Sequence, residues 1–128
     1  MGLAHKASKR STCLRAQVGA AVIKNRYVLS FGYNGAPSGL PHCIDGGCIM
    51  ANGHCIRAIH AEENALFFAG KEKTMEATLY TTHCPCYHCA GLIINAGIIR
   101  VVYGMEYGNG IELLEQAGIK IKEYNEQA

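Results

Sequence analysis

The chain contains no apolar run long enough to cross a bilayer. It also has no apolar leader: its first residues, MGLAHKASKRS, are polar and basic, unlike a secretory signal. Lys6 stands where N-myristoylation needs Ser or Thr after Gly2. These absences predict a soluble protein of the cytoplasm. Acidic residues are missing from positions 1–44, which carry six basic ones: Lys6, Lys9, Arg10, Arg15, Lys24 and Arg26. The other 84 residues carry six basic and ten acidic side chains. A net charge of only +2 argues against a dedicated nucleic-acid binder, and no nucleic-acid partner is expected. The basic end suits a phosphate, or is a solvated helix face.

Length and balance fit one domain spanning 1–128: 49% of residues are hydrophobic and 17% charged. Seven cysteines stand out, at 13, 43, 48, 55, 84, 86 and 89. An odd count without a secretion signal does not suit a disulfide framework, whereas clustered Cys with His nearby suits metal.

Residues 3–15 read as a helix. Residues 17–33 read as a β-hairpin about a tight turn at 24–26. Residues 32–57, rich in Gly, Pro, Asn and Cys, read as an irregular loop. Helices are expected over 60–69, 85–96 and 111–117, and strands over 77–81, 98–103 and 119–123. That alternation predicts an α/β architecture with a partly parallel sheet and helices on both faces.

Three features carry chemistry: His60-Ala61-Glu62 opening one helix, Pro85-Cys86 opening another, and Cys89 three residues on. This is the known H-x-E…P-C-x-x-C pattern of zinc deaminases. Residues three apart on a helix share a face, so Cys86 and Cys89 can grip one ion. A helix N-terminus favours the thiolate form. His60 supplies a third ligand, and the open fourth position is that of a catalytic zinc with a water of lowered pKa. Glu62 is assigned as the general acid/base that takes a proton from that water. Alone, Cys-x-x-Cys could be half a zinc knuckle or a redox pair, and His-Ala-Glu means little; together they are specific. Glu63 reads as a solvated helix residue. Cys13, Cys43, Cys48 and Cys55 form a candidate second, structural zinc site, with His42 or His54 as substitutes. The alternative is four unconnected reduced thiols. Cys84 reads as a pocket-lining or packed small side chain.

The run Gly-Tyr-Asn-Gly-Ala-Pro-Ser-Gly at 32–39, Gln17-Val-Gly-Ala20, the run 59–65 and the run 85–89 together resemble the deoxycytidylate (dCMP) deaminases and the related bacterial ComE-type proteins. The resemblance covers about 8–123. It implies a three-layer α/β/α cytidine-deaminase-like fold with a five-stranded mixed sheet. It implies hydrolysis of dCMP to dUMP and ammonia, a step toward dTMP, with His60, Cys86 and Cys89 on zinc and Glu62 as proton shuttle. It places Asn34 in the nucleotide loop, Asn64 near the sugar, Tyr107 on the substrate, and the Ala61 N–H at the base carbonyl. Arg26 and Ser38 are expected at the phosphate. Phage members carry a second zinc, and Cys13 and Cys43 align with two of its ligands. The resemblance further implies a homo-oligomer, commonly a hexamer, with dCTP and Mg²⁺ activating and dTTP inhibiting. The shortness of the chain and Cys84 depart from the family pattern. The competing readings are a deaminase of another cytosine nucleoside or of tRNA adenosine, and a non-catalytic zinc-binding competence-type accessory protein.

Overall fold

A computed structural model describes residues 1–11, 17–41, 50–51, 54–55, 59–105 and 108–124. Its elements run α1 (Gly2–Ser8), β1 (Gly19–Lys24), β2 (Tyr27–Tyr33), β3 (Met50–Ala51), β4 (His54–Cys55), α2 (Ala61–Ala69), α3 (Lys71–Thr74), β5 (Thr78–His83), α4 (Tyr87–Asn95), β6 (Arg100–Met105), α5 (Ile111–Gln116) and β7 (Lys120–Glu123). The main sheet has five strands in the order β2-β1-β5-β6-β7. β1 is antiparallel to both β2 and β5, while β5, β6 and β7 are parallel. This is the expected mixed sheet, with β7 on the edge. β3 and β4 form a separate two-stranded ribbon within the segment expected to be irregular.

The β-branched and apolar run of β1 sits in the middle of the sheet, and Ala20, Ala21 and Val22 are all buried. Asn25 and Arg26 both have positive φ (52° and 69°), which marks a two-residue hairpin turn between the paired Lys24 and Tyr27. Ala20, Val22, Leu79 and Val101 form one core with Ala61 and Ala65 of α2, Ile93 of α4 and Leu114 of α5. Gly32 makes α2's approach feasible. A Cβ there would lie 2.5 Å from the Ala61 carbonyl oxygen and 2.6 Å from the Ala65 nitrogen. α1 packs against the start of β1, where it meets Gly19. Gly19 alternates with the α2-facing Ala20, so α1 covers the opposite face.

Two expected boundaries move. The first helix ends at Ser8, with a turn at Lys9–Arg10, so it is shorter than the reading of 3–15; residues 12–16 lie outside the described ones. The helix expected to begin at Pro85 begins at Tyr87, with Cys86 as its N-cap. Among the described residues, no helix is long and apolar enough to cross a membrane.

Candidate metal centre and catalytic site

Two helix N-termini converge at one end of the sheet. His60 is the N-cap of α2 and Cys86 the N-cap of α4. Both have extended backbones, φ −67° and ψ 150° for His60 and φ −74° and ψ 170° for Cys86. An isolated antiparallel bridge, Gly35 with Ile59, delivers His60 to its place and sets the 34–38 loop beside it. The strand β5 delivers Cys84-Pro85-Cys86 from the other side. Cys84 N–H donates to the Met105 carbonyl, Gly110 N–H donates to the Pro85 carbonyl, and the Asn109 Oδ1 accepts from Tyr87 N–H at 2.9 Å. Gly108 makes this docking feasible, since a Cβ there would lie 2.4 Å from the carbonyl oxygens of Cys84 and Pro85.

The result is a compact triad. His60 Nδ1 lies 3.1 Å from Cys89 Sγ and 3.5 Å from Cys86 Sγ. The three donor atoms all fall within 4.8 Å of one another. Tetrahedral zinc, with Zn–N and Zn–S bonds near 2.0 and 2.3 Å, sets nitrogen and sulfur about 3.6 Å apart. One imidazole nitrogen and two sulfurs at this spacing therefore fit zinc, and the ring atom presented is Nδ1. Cys86 Sγ also accepts from the Cys89 N–H at 3.4 Å, so the ligand itself caps the helix.

The charges follow from these contacts. The Cys86 thiol is pulled down to about 3, first by the hydrogen bond from the Cys89 thiol, against the cost of burial, and then by the bond from His60. The Cys89 thiol is raised, because it is the donor to Cys86 and is buried. His60 is raised to about 9, chiefly by its bond to Cys86, with burial opposing. Zinc ligands must be deprotonated, so metal uptake at this triad would release protons. Glu62, one residue into α2, is only 5% exposed. Burial pushes its carboxyl up to about 7, partly offset by a backbone hydrogen bond. A carboxyl poised near neutrality beside a metal triad is suited to both accept and return a proton.

The structure places the other expected residues as follows. Ala61 is fully buried in the first turn of α2. Asn34 is buried, and its Oδ1 accepts from Val18 N–H at 2.9 Å, which ties the nucleotide loop to the start of β1. Asn64 Nδ2 donates to the Tyr33 carbonyl at 2.9 Å, so its amide nitrogen anchors α2 to the end of β2. Ser38 lines a cavity of about 940 Å³ along α2, together with Tyr33, Glu63, Asn64 and Phe67; neither Glu62 nor any of the triad lines it. The structure does not bring Arg26 together with the triad. Its hairpin turn lies at the end of β1 that pairs with Thr78, whereas the metal site lies beyond His83 at the other end of β5. Five residues of strand, at about 3.3 Å each, separate the two ends of β5, so this chain's Arg26 does not reach the site. Glu63 is corrected. It is not merely solvated: its Oε1 accepts from His60 N–H at 3.4 Å, and its Oε2 lies 3.7 Å from His88 Nε2.

Cys13, Cys43, Cys48, His42 and Tyr107 lie outside the described residues, and the side chains of His54 and Cys55 are likewise not described. Cys84 is buried, with its Sγ 3.6 Å from the Pro85 carbonyl oxygen. Sequence reasoning missed Asn109. A Gly-Asn-Gly run just ahead of a helix is a turn signal, but nothing local says that the turn folds back onto Tyr87.

An α/β sheet presenting a His-Cys-Cys triad and a buried carboxyl at helix starts defines a zinc-dependent hydrolase site of the deaminase kind. Comparison with known proteins gives the family. The family described as the cytidine and deoxycytidylate deaminase zinc-binding region matches residues 1–105, and the chain belongs to it. The chain is 41% identical to ComE operon protein 2 of Bacillus subtilis, over 96% of this chain and 68% of that one. It is 43% identical to the deoxycytidylate deaminase of Mycobacterium phage D29, over 83% of this chain and 91% of that one. The cyanophage S-TIM5 dCMP deaminase, solved with dCMP and dUMP, superposes with a TM-score of 0.81 at 36% identity, covering 94% and 90% of the two chains. The chain spans less than half the length of the yeast deoxycytidylate deaminases it matches.

Proposed function

We propose that this protein is a zinc-dependent dCMP deaminase, converting dCMP and water to dUMP and ammonia. The observation that carries it is the grouping of the His60, Cys86 and Cys89 donors at zinc spacing, with the buried Glu62 carboxyl two residues after His60. Zinc held there would supply a Lewis acid that lowers the pKa of water toward neutrality. Glu62 accepts one proton from the attacking water as the water oxygen bonds to C4 of cytosine. The same carboxyl delivers that proton to the ring N3, then takes the second proton from the new C4 hydroxyl and hands it to the departing amine. The C4–N bond breaks, ammonia leaves, and C4 keeps the oxygen. The Ala61 N–H, at the free N-terminus of α2, is suited to hold the base carbonyl. Asn34, Ser38, Asn64 and Tyr107 belong to the nucleotide side of the proposal. The fixing of Asn34 and Asn64 by backbone partners supports a preorganised wall there. A relative of 36% identity that was solved with dCMP and dUMP supports this choice of substrate.

Ammonia release from dCMP, CMP, cytidine and a tRNA anticodon stem tests the reading. Turnover of dCMP well above the others is expected. Cytidine turned over as fast as dCMP contradicts the nucleotide assignment, and no ammonia from any of them contradicts the enzyme.

The proposal extends to a second, structural zinc on Cys13, Cys43, Cys48 and Cys55, to activation by dCTP with Mg²⁺ and inhibition by dTTP, and to a hexamer in the cytoplasm. The four cysteines outside the catalytic segment and the resemblance to deoxycytidylate deaminases support it. Two zincs per chain are expected, falling to one in Cys43→Ser, whereas one in the wild type removes the second site.

A further inference from the structure

We propose that Glu63 is a positioning residue that clasps the two metal-bearing helix N-termini together and slows loss of the zinc. The inference rests on reading the triad as a zinc site. Glu63 is the third residue of α2, so its side chain can fold back over the start of its own helix. One oxygen takes up the backbone N–H of His60 at 3.4 Å. That bond holds the ligand residue in its extended N-cap conformation, from which Nδ1 faces both thiols. The other oxygen reaches across to α4, 3.7 Å from Nε2 of His88, the neighbour of the ligand Cys89. One carboxylate thus spans the His60 side and the Cys89 side of the triad.

The role is separate from that of Glu62. Successive helix residues point about 100° apart, so the buried proton shuttle and the bridging carboxylate occupy different faces of α2. The Glu63 side chain is 28% exposed and that of His88 68%, so the bridge lies at the rim of the site. Its contribution is to hold the frame that the ligands need, as partners behind a first coordination sphere do.

Zinc-loaded protein is mixed with excess chromogenic chelator, and the zinc release rate is followed in wild type and variants. The phase belonging to the triad is the one that Cys86→Ser lacks. Glu63→Ala is expected to release that zinc about tenfold faster. Glu63→Gln keeps an acceptor for His60 N–H, so it and His88→Ala should each speed release only about threefold. Glu63→Ala combined with His88→Ala should release no faster than Glu63→Ala alone. A wild-type release rate in Glu63→Ala overturns the clasp, and so does a double variant whose effect is the product of the two singles. Should Glu63→Ala fail to fold, wild-type release in both Glu63→Gln and His88→Ala overturns it. Release needs no substrate, so a protein that holds triad zinc yet yields no ammonia fails the functional reading alone.

Discussion

The starts of α2 and α4 solve the same problem with different chemistry. Each places a metal ligand at the N-cap, in extended backbone, where the side chain leaves the helix axis and the first N–H groups point outward. In α4 the third helical residue is itself a ligand. Cys89 joins Cys86 on the ion, and the Cys86 sulfur satisfies the Cys89 N–H. In α2 the third residue is Glu63, which turns back onto His60 N–H, while the buried side chain one position earlier, Glu62, is the reactive one. Both helix starts therefore hold the metal, and the start of α2 carries the proton-transfer carboxyl as well. Both gain from the positive end of the helix, which favours thiolate at one and offers N–H donors at the other.

Removing a holder should have the largest effect. Cys86→Ser and His60→Ala should each lose one zinc per chain and all measurable ammonia release, as metal analysis alongside the assay would show. Zinc retained in Cys86→Ser would mean that the two starts do not share an ion.

A second experiment separates the reactive carboxyl from the metal-holding groups by pH. Burial raises Glu62 to about 7, so the folded protein holds a proton that the unfolded chain gives up near 4.5. The contribution of neutral Glu62 is then full below about 4.5 and is lost as pH rises to about 7. In metal-stripped protein, Glu62→Gln should be more stable than wild type above that range, by about 3 kcal/mol. The difference should vanish at low pH. Urea melts at pH 4 and pH 8 read it, and a gap independent of pH contradicts the buried carboxyl.

Smaller effects sharpen the contrast. Asn109→Ala removes the acceptor for Tyr87 N–H and should cost about 1 kcal/mol of stability in thermal melts. Arg26→Ala should leave KM for dCMP unchanged, because its turn lies at the far end of the sheet.

The triad was legible in the sequence because its members are close in the chain and the types are chemically narrow. His-x-Glu and Cys-x-x-Cys need only a helix start each, and the alternation of helices and strands brings the starts to one end of the sheet. The five strands were equally plain from their β-branched runs. What was not legible depends on direction and on cap geometry. Arg26 lies away from the triad because β1 runs antiparallel to β5, a fact of sheet order that no local pattern carries. Cys86 is a cap rather than a first-turn residue, since an extended ψ and a helical one share the same letters. Glu63 looked solvated because its two partners, a backbone N–H and a histidine on another helix, leave no mark in its own vicinity.

The central claim, that both helix starts hold the metal while that of α2 also moves the proton through Glu62, is tested most directly by Glu62→Gln. Zinc per chain and ammonia release from dCMP are measured on the same preparation. The account predicts wild-type zinc content with turnover reduced by about 10²–10⁴-fold, the range of a lost general acid/base. Near-wild-type turnover, or loss of the triad zinc with the carboxylate, would contradict it.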